Sequence, residues 1–493
     1  MNRKYFKFLL NDHKIAVLFF GLLFVGISLT PFIDNNKVDS LSSSMTISFI
    51  LALMLTYALP MLLLAFIHRK RSVDLYLSLP IKRSEQITTI LLFAFCVTGS
   101  FYLAAGLLQI ILSGGIFIGK VLLILLLGLL SIVIMLIFNS LLFLIGNNLF
   151  DGVVITGAYT VLPFLVFTSL VAFSSELLAG YSGSFEMLDE VYILLSPACM
   201  LGYNVLRLTQ NIQTEIDIRM LYLILPVLIA VLSVFGLKKE FVERKSERAE
   251  QLSDGVLAYP TIINAYAFLV LLIFGAEVVS TSLKSMIVFY LLLLVVYVVA
   301  MFIYRREIKF QLRSVMGYII SAVITLAIAF AAWNTHFFGL ADKYEVGTRN
   351  YITYNYNIVA DPADLGKNYI WEEEHSIDSA ASIYLEIQIP TKARDQYEEQ
   401  ISIMNRHIND SIDRFYAKEE YNNQDSSISL NNHDKIREYS GNDTHYYFRN
   451  TTPLSEEELL KIAEKFDVDV EFYQNDDWQT MPVEEYIKER GND

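Results

Sequence analysis

VLLILLLGLLSIVIMLIF, residues 121–138, runs for eighteen positions without a charge. A helix rises 1.5 Å per residue, so roughly 20 such residues match the ~30 Å hydrocarbon layer of a bilayer. A helix at the surface of a soluble core keeps a polar face, and this run has none. Extended to 121–145, it is one of nine such stretches. The others are 15–33, 46–67, 87–113, 152–174, 219–237, 261–281, 286–304 and 316–337. Composition agrees: 54% of the 493 residues are hydrophobic and 18% are charged, against about a quarter charged in an ordinary soluble chain.

The charge is unevenly placed. Residues 340–493 hold 15 Lys and Arg against 33 Asp and Glu, a net charge of −18, while residues 1–339 hold 23 against 19, a net +4. The acidity therefore belongs to the C-terminal third. That third has neither of the two cysteines, Cys96 and Cys199, so it must fold on its own core, without disulfides.

Lys and Arg in short loops favour the cytoplasm. With the N-terminus inside, the inner segments 1–14, 68–87, 238–259 and 305–315 hold 18 of them, and the outer segments hold five. Nine crossings then place the acidic C-terminal portion outside. The N-terminal basic residues precede an apolar run, but no small-residue cleavage site follows, so the segment reads as retained. MNRKYFKFLLNDHK (1–14) puts Met1, Tyr5 and Leu9 on one helical face, the pattern of an interfacial helix or of a basic flank to the first span. VYILLSPACMLGY (191–203) is too short to span and carries Pro197 in its middle, so it reads as re-entrant or interfacial.

The acidic portion has the patterning of a folded α+β domain. YITYNYNIV (351–359) and SIYLEIQI (382–389) alternate as half-buried strands do. Tyr397, Ile401, Met404, Ile408 and Phe415 recur at helical spacing. Ser455 and Glu458 form a capping box ahead of ELLKIAEKF. THYYFR (444–449) and VDVEFY (468–473) read as strands, and the polar stretch 421–435 reads as a loop.

Several signals carry no chemistry. Gly114, Gly119 and Lys120 match the start of a phosphate-binding loop, but Val121 stands where magnesium needs Ser or Thr, and the flanks are membrane spans. The seven histidines and two cysteines show no metal-ligand spacing. Glu372, Glu373, Glu374 and His375 read as a solvated charge run. The large soluble portion is acidic, which argues against nucleic acid. Within the spans, Gln109 and Asn139 suit hydrogen bonds between helices or the lining of a substrate path. Glu277 is near the outer end of the seventh span. No chain of buried carboxylates, of the kind that couples transport to protons, is present.

The most informative loop is HRKRSVDLYLSLPIKRSEQI (68–87). It is basic, yet carries Val73, Leu75, Leu77 and Leu79 ahead of Pro80, Lys82 and Arg83. Its spacing alternates, so periodicity alone does not define a helix. The segment resembles the cytoplasmic loop of type-2 ABC transporter permeases, in which a short coupling helix followed by an LPIKR-like sequence docks on the ATP-binding subunit. Residues 1–250 share the family's wider pattern: an interfacial N-terminal helix, six spans, partial re-entrant helices before the sixth (here 191–208), and a basic stretch after it, KKEFVERKSERAEQ (238–251). The resemblance implies a helix at 1–14, a six-span permease core at 15–237 and a cytoplasmic linker at 238–259. The chain departs from that pattern by adding three spans (260–338) and an acidic extracytoplasmic α+β domain (339–493).

What the resemblance implies is a non-enzymatic, polytopic permease subunit in the cell membrane. It would work with a separate ABC ATP-binding subunit and a second permease copy, identical or related. It would hold no cofactor itself, the ATP being on the partner subunit. Asp74, Leu75, Leu77, Leu79, Pro80 and Arg83 would form the coupling loop, the apolar ones filling a groove on the ATPase and the charged ones setting register. The other reading is a membrane-anchored sensor or assembly protein whose outer domain binds a partner or ligand.

Overall fold

In hydrocarbon, every backbone N–H and C=O must find its partner within its own segment, so apolar runs of this length are held to helix. The computed structural model describes residues 2–33, 37–181, 189–213, 218–253, 255–281, 283–308, 312–344, 349–357, 380–388, 395–418, 426–432, 444–451, 454–474 and 477–490. Among them, nine helices are long and apolar enough to cross a membrane. In chain order the helices begin α1 (Arg3–Leu29), α2 (Lys37–Leu63), the short α3 (Lys70–Leu77), α4 (Arg83–Leu112), α5 (Ile118–Ile145) and α6 (Leu149–Leu177). They continue with the short pair α7 (Asp189–Leu195) and α8 (Pro197–Gln210), then α9 (Leu221–Leu237), α10 (Tyr259–Ser280), α11 (Leu283–Arg305) and α12 (Leu312–Asn334).

Residues 1–14 and the first span are not separate elements, because α1 runs unbroken from Arg3 to Leu29. The Asn2 side chain caps it by accepting from the backbone N–H of Lys4 and Tyr5. Tyr5 and Leu9 are buried in the protein's own core; Met1 lies outside the described residues. The 191–203 segment is broken into α7 and α8 at extended Ser196, with Pro197 starting α8, where the lost N–H costs nothing.

The chain divides into two compact units. The first comprises Met1–Phe167, Glu190–Tyr266 and Tyr297–Gln311. Its core has α4 against α5 at two glycines. A Cβ on Gly128 would lie 2.3 Å from the Tyr102 hydroxyl, and one on Gly106 would lie 2.4 Å from a Leu125 methyl. Small residues of this kind let helix backbones approach where lipid offers no hydrophobic drive to associate.

The second unit comprises Thr168–Asp189, Ala267–Val296 and Leu312–Asp493. Phe173 and Leu177 of α6, Ala276 and Val279 of α10, and Ala329 and Ala332 of α12 form one buried cluster. After α12 comes a turn, α13 (His336–Gly339), in which His336, Phe337 and Phe338 all have positive φ. The remaining elements are β1 (Arg349–Asn357), β2 (Ala380–Gln388), α14 (Glu398–Ala417), β3 (Ser426–Asn432), β4 (Thr444–Thr451), α15 (Glu456–Ala463), β5 (Val468–Gln474), β6 (Asp477–Pro482) and α16 (Val483–Arg490). The strands pair antiparallel in the order β4-β3-β1-β2-β5-β6.

Register follows the alternation. Ile352 is opposite Leu385 on one side and Leu430 on the other, and Tyr354 is opposite Ile383 and Ile428. A one-residue slip would turn that whole set to the other face. The expected loop at 421–435 is corrected here, since it contains β3. Only Ile428 and Leu430 in SSISLNN are apolar, and the strand is held by ladders to β1 and β4 on its two edges. The α14 stripe is buried through Ile401, Met404, Ile408 and Ile412, together with Leu459 and Ile462 of α15. The Ser455–Glu458 capping box is present. Glu372–His375 lie outside the described residues.

Candidate functional site

Eight residues are too few for a stable isolated helix, so α3 depends on what anchors it. Its alternating apolar residues, once helical, point different ways. Val73 is buried at 2% exposure, whereas Leu75 is 66% exposed. Tyr76 is half-buried and stacks on Phe66 with ring centroids 4.4 Å apart. The Ser72 hydroxyl donates to the Phe66 carbonyl at 2.9 Å, and Gln86 Nε2 donates to the Tyr76 carbonyl at 3.4 Å. Asp74 and Pro80 are exposed, and Leu77 and Leu79 are half-buried.

Arg83 is turned onto its own chain. Its guanidinium donates to the Val242 carbonyl at 3.2 Å and the Arg244 carbonyl at 2.7 Å. Those carbonyls belong to the basic stretch after the sixth span, where α9 passes into a π-helical turn, Lys238–Val242. Arg244 in turn is 3% exposed. It donates to the carbonyls of Leu144 (2.7 Å) and Gly146 (2.9 Å) and to Asn147 Oδ1 (3.2 Å), while its Nε has no partner. Helix α5 ends at Ile145, leaving carbonyls that no helical N–H reaches; Arg244 satisfies two of this region.

Burial pulls the Arg244 pKa down to about 10, with Glu240 opposing and Arg248 assisting the shift. His68 is beside it, 1% exposed, its ring edge-on to Phe143 at 4.5 Å. Neither ring nitrogen has a partner in hydrogen-bonding geometry, although the backbones of Asn147 and Phe143 approach near enough to favour the charged form slightly. Burial first, and the Arg244 charge second, drive its pKa down to about 3, so the ring is neutral at physiological pH.

The same layer continues. The Ser253 hydroxyl accepts from the Asn147 backbone N–H (2.8 Å) and donates to Asp151 Oδ2 (2.7 Å). Arg306 pairs with Asp151 at 3.8 Å. The Glu250 backbone N–H donates to the Asn147 carbonyl at 2.8 Å, and Glu250 Oε1 accepts from the Lys70 N–H at 3.2 Å. Asn2 donates to Thr89 at 3.0 Å. Every contributing residue is at the N-terminal end of the first, third or fifth crossing helix, or at or beyond the C-terminal end of the second, fourth, sixth or eighth. That parity is what alternate crossing demands. In the second unit the same rule holds by itself: Tyr416 of α14 donates to the Leu177 carbonyl at 2.9 Å, Lys418 donates to the Val279 carbonyl, and Phe415 meets Trp333 at 5.3 Å. Leu177, Val279 and Trp333 mark the C-terminal ends of the fifth, seventh and ninth crossing helices.

The two polar residues within the spans tie helices together. Gln109 Nε2 donates to the Ser44 carbonyl (3.1 Å) and the Ser48 hydroxyl (2.7 Å), and Asn139 Nδ2 donates to the Thr56 carbonyl and hydroxyl, both 3.2 Å. Their side-chain carbonyl oxygens are buried without a partner. Lys120, from the apparent phosphate loop, donates to the Ile212 carbonyl at 2.9 Å.

His68, Arg244, Asn147 and Ser253 escaped the sequence reading. Arg244 was one of five cations in a loop, and no spacing marks the one that is buried. No protein-family profile, curated protein or solved structure matches this chain.

Proposed function

We propose that this chain is the permease subunit of an ATP-driven transporter of the type-2 ABC class, placed in the cell membrane with its basic segments cytoplasmic. The observation that carries the reading is α3: a short helix between the second and third spans, anchored through Ser72, Gln86 and the Arg83 contacts, that holds Leu75 exposed beside Asp74 and Pro80. An apolar side chain fixed outward on a cationic surface is what a separate ATPase subunit would cover. Leu79 packs partly buried against the core, Leu77 is half-buried, and Arg83 acts inward, linking the segment to the sixth span's end. In this reading residues 339–493 form a soluble α+β domain outside the membrane, and a second permease, identical or related, completes the transporter.

The test is whether an ATP-binding protein co-purifies with the chain, the first candidate being any encoded beside it. Leu75→Asp should lower permease-stimulated ATP hydrolysis at least tenfold and release the ATPase, and the Leu79/Pro80 double variant should do the same. Full stimulation in Leu75→Asp would sink the reading. So would failure of any ATPase to accompany the wild type, which would favour a sensor acting through its outer domain.

A further inference from the structure

At the same end of the first unit, α4, α5 and α9 enclose a cleft of about 490 Å³. Its walls change character along its length. Ser84, Thr88 and Lys238 line one end, and Leu92, Phe95 and Val133 line the other. Ser84 and Lys238 are exposed, and Lys238 opens the π-helical turn of residues 238–242. A π turn widens a helix locally and is found often where something binds. Here it forms the cleft's mouth, with Val242 also on the wall.

The dimensions select an occupant. From Ser84 to Phe95 along α4 is eleven residues, roughly 17 Å at 1.5 Å each. One leaflet of the ~30 Å hydrocarbon layer is about 15 Å deep. The cleft therefore starts at the polar edge of the spans and reaches about the bilayer midplane. Thr88 has its hydroxyl turned to the Ser84 carbonyl at 2.8 Å, so the wall below the mouth offers methyls and rings. A sugar or peptide would leave its polar groups unpaired there. An acyl chain would not.

We propose that this cleft is a binding site for one phospholipid of the leaflet facing the basic layer, its acyl chain along α4 and its anionic headgroup at Lys238. Zwitterionic lipids fit the apolar part but gain less from the cation, because their own cationic group offsets the phosphate. The inference requires only that the chain spans a membrane; it is independent of any ATPase.

The test uses the purified full-length chain in mild detergent. It is equilibrated with equimolar dioleoyl phosphatidylglycerol and dioleoyl phosphatidylcholine and examined by native mass spectrometry. Wild type should retain one phosphatidylglycerol in preference. Lys238→Gln, a surface change that leaves packing alone, should cut that preference by about fivefold, the contribution of one cation near an anionic surface. Val133→Phe, filling the deep end, should lower retention of both lipids. Its melting temperature shows whether the fold survives, and Lys238→Gln decides the matter if it does not. Equal retention of the two lipids by wild type, or an unchanged preference in Lys238→Gln, would overturn the proposal.

Discussion

Replacing Arg244 with Ala removes three hydrogen bonds from a cation that is 3% exposed. Hydrogen bonds to charged groups contribute about 1.5–3 kcal/mol each, and each buried carbonyl left unpaired costs about 1–3 kcal/mol. Against this, the variant no longer buries a charge. A pKa pulled down to about 10 corresponds to roughly 3 kcal/mol of lost hydration, at ~1.4 kcal/mol per unit. The carbonyls of Leu144 and Gly146 decide the balance. They lie at the end of α5, where no helical N–H reaches them, and the turn at Gly146 is packed closely against Gly152 of α6. We expect a net loss of about 2–4 kcal/mol, toward the severe end for a single substitution. That corresponds to a fall of roughly 4–16 °C in melting temperature, using the scaling of about 2–4 °C per kcal/mol for domains of moderate size. The assay is size-exclusion chromatography with fluorescence detection after heating in mild detergent. Arg248→Ala is the internal control: its side chain is half-exposed and pairs with Glu240 at 3.4 Å, and exposed pairs contribute about 0–1 kcal/mol. Arg244→Ala melting within a degree of Arg248→Ala would refute the idea that the buried guanidinium holds the α5 end.

Acid should unfold the protein through His68. Its folded pKa of about 3 is below the unfolded value of about 6.5, so in that window the unfolded chain binds the extra proton and stability falls as pH drops, by about 2 kcal/mol at pH 5. His68→Phe should flatten the melting temperature between pH 7 and 5; parallel profiles for variant and wild type would disprove the assignment. For the threading, an epitope at residue 493 should be cleaved by protease on intact cells while one at residue 2 is protected, and the reverse pattern would invert the reading of every loop.

The spans were legible because bilayer thickness imposes a length and the medium imposes a composition; α4 differs from the expected 87–113 by a few residues only, at Arg83–Leu112. Gln109 and Asn139 were legible as interhelical donors because polar atoms in hydrocarbon must pair. The acidic third was legible where one face alternates, as in β1 and β2, and illegible at β3, whose two apolar residues carry too little pattern. In the basic layer the sequence displayed charge and hid geometry. LYL in α3 alternates like a strand, and only the anchors Ser72, Gln86 and Arg83 make it a helix with Leu75 outward. Among eighteen cations, nothing local distinguishes Arg83 and Arg244, because their partners are backbone carbonyls that any sequence supplies.

Those carbonyls give the basic layer its mechanical sense. A lysine in place of Arg83 would present one rotatable ammonium, whereas guanidinium is a planar fork with donors in fixed directions. Arg83 spans two carbonyls of the segment after α9, and Arg244, in that segment, spans two carbonyls at the end of α5. The start of the third span is thus tied to the end of the sixth, and that end to the fourth. Helix α3 precedes Arg83 by six residues and cannot remain helical without its anchors. If α3 docks a partner as proposed, Arg83 and Arg244 would link it to the ends of three spans. The burial of Arg244 costs stability that an apolar residue would not. What the burial gives in return is a direct hydrogen-bonded link from Arg83 through the segment after α9 to the end of α5, which the proposed docking role of α3 would require.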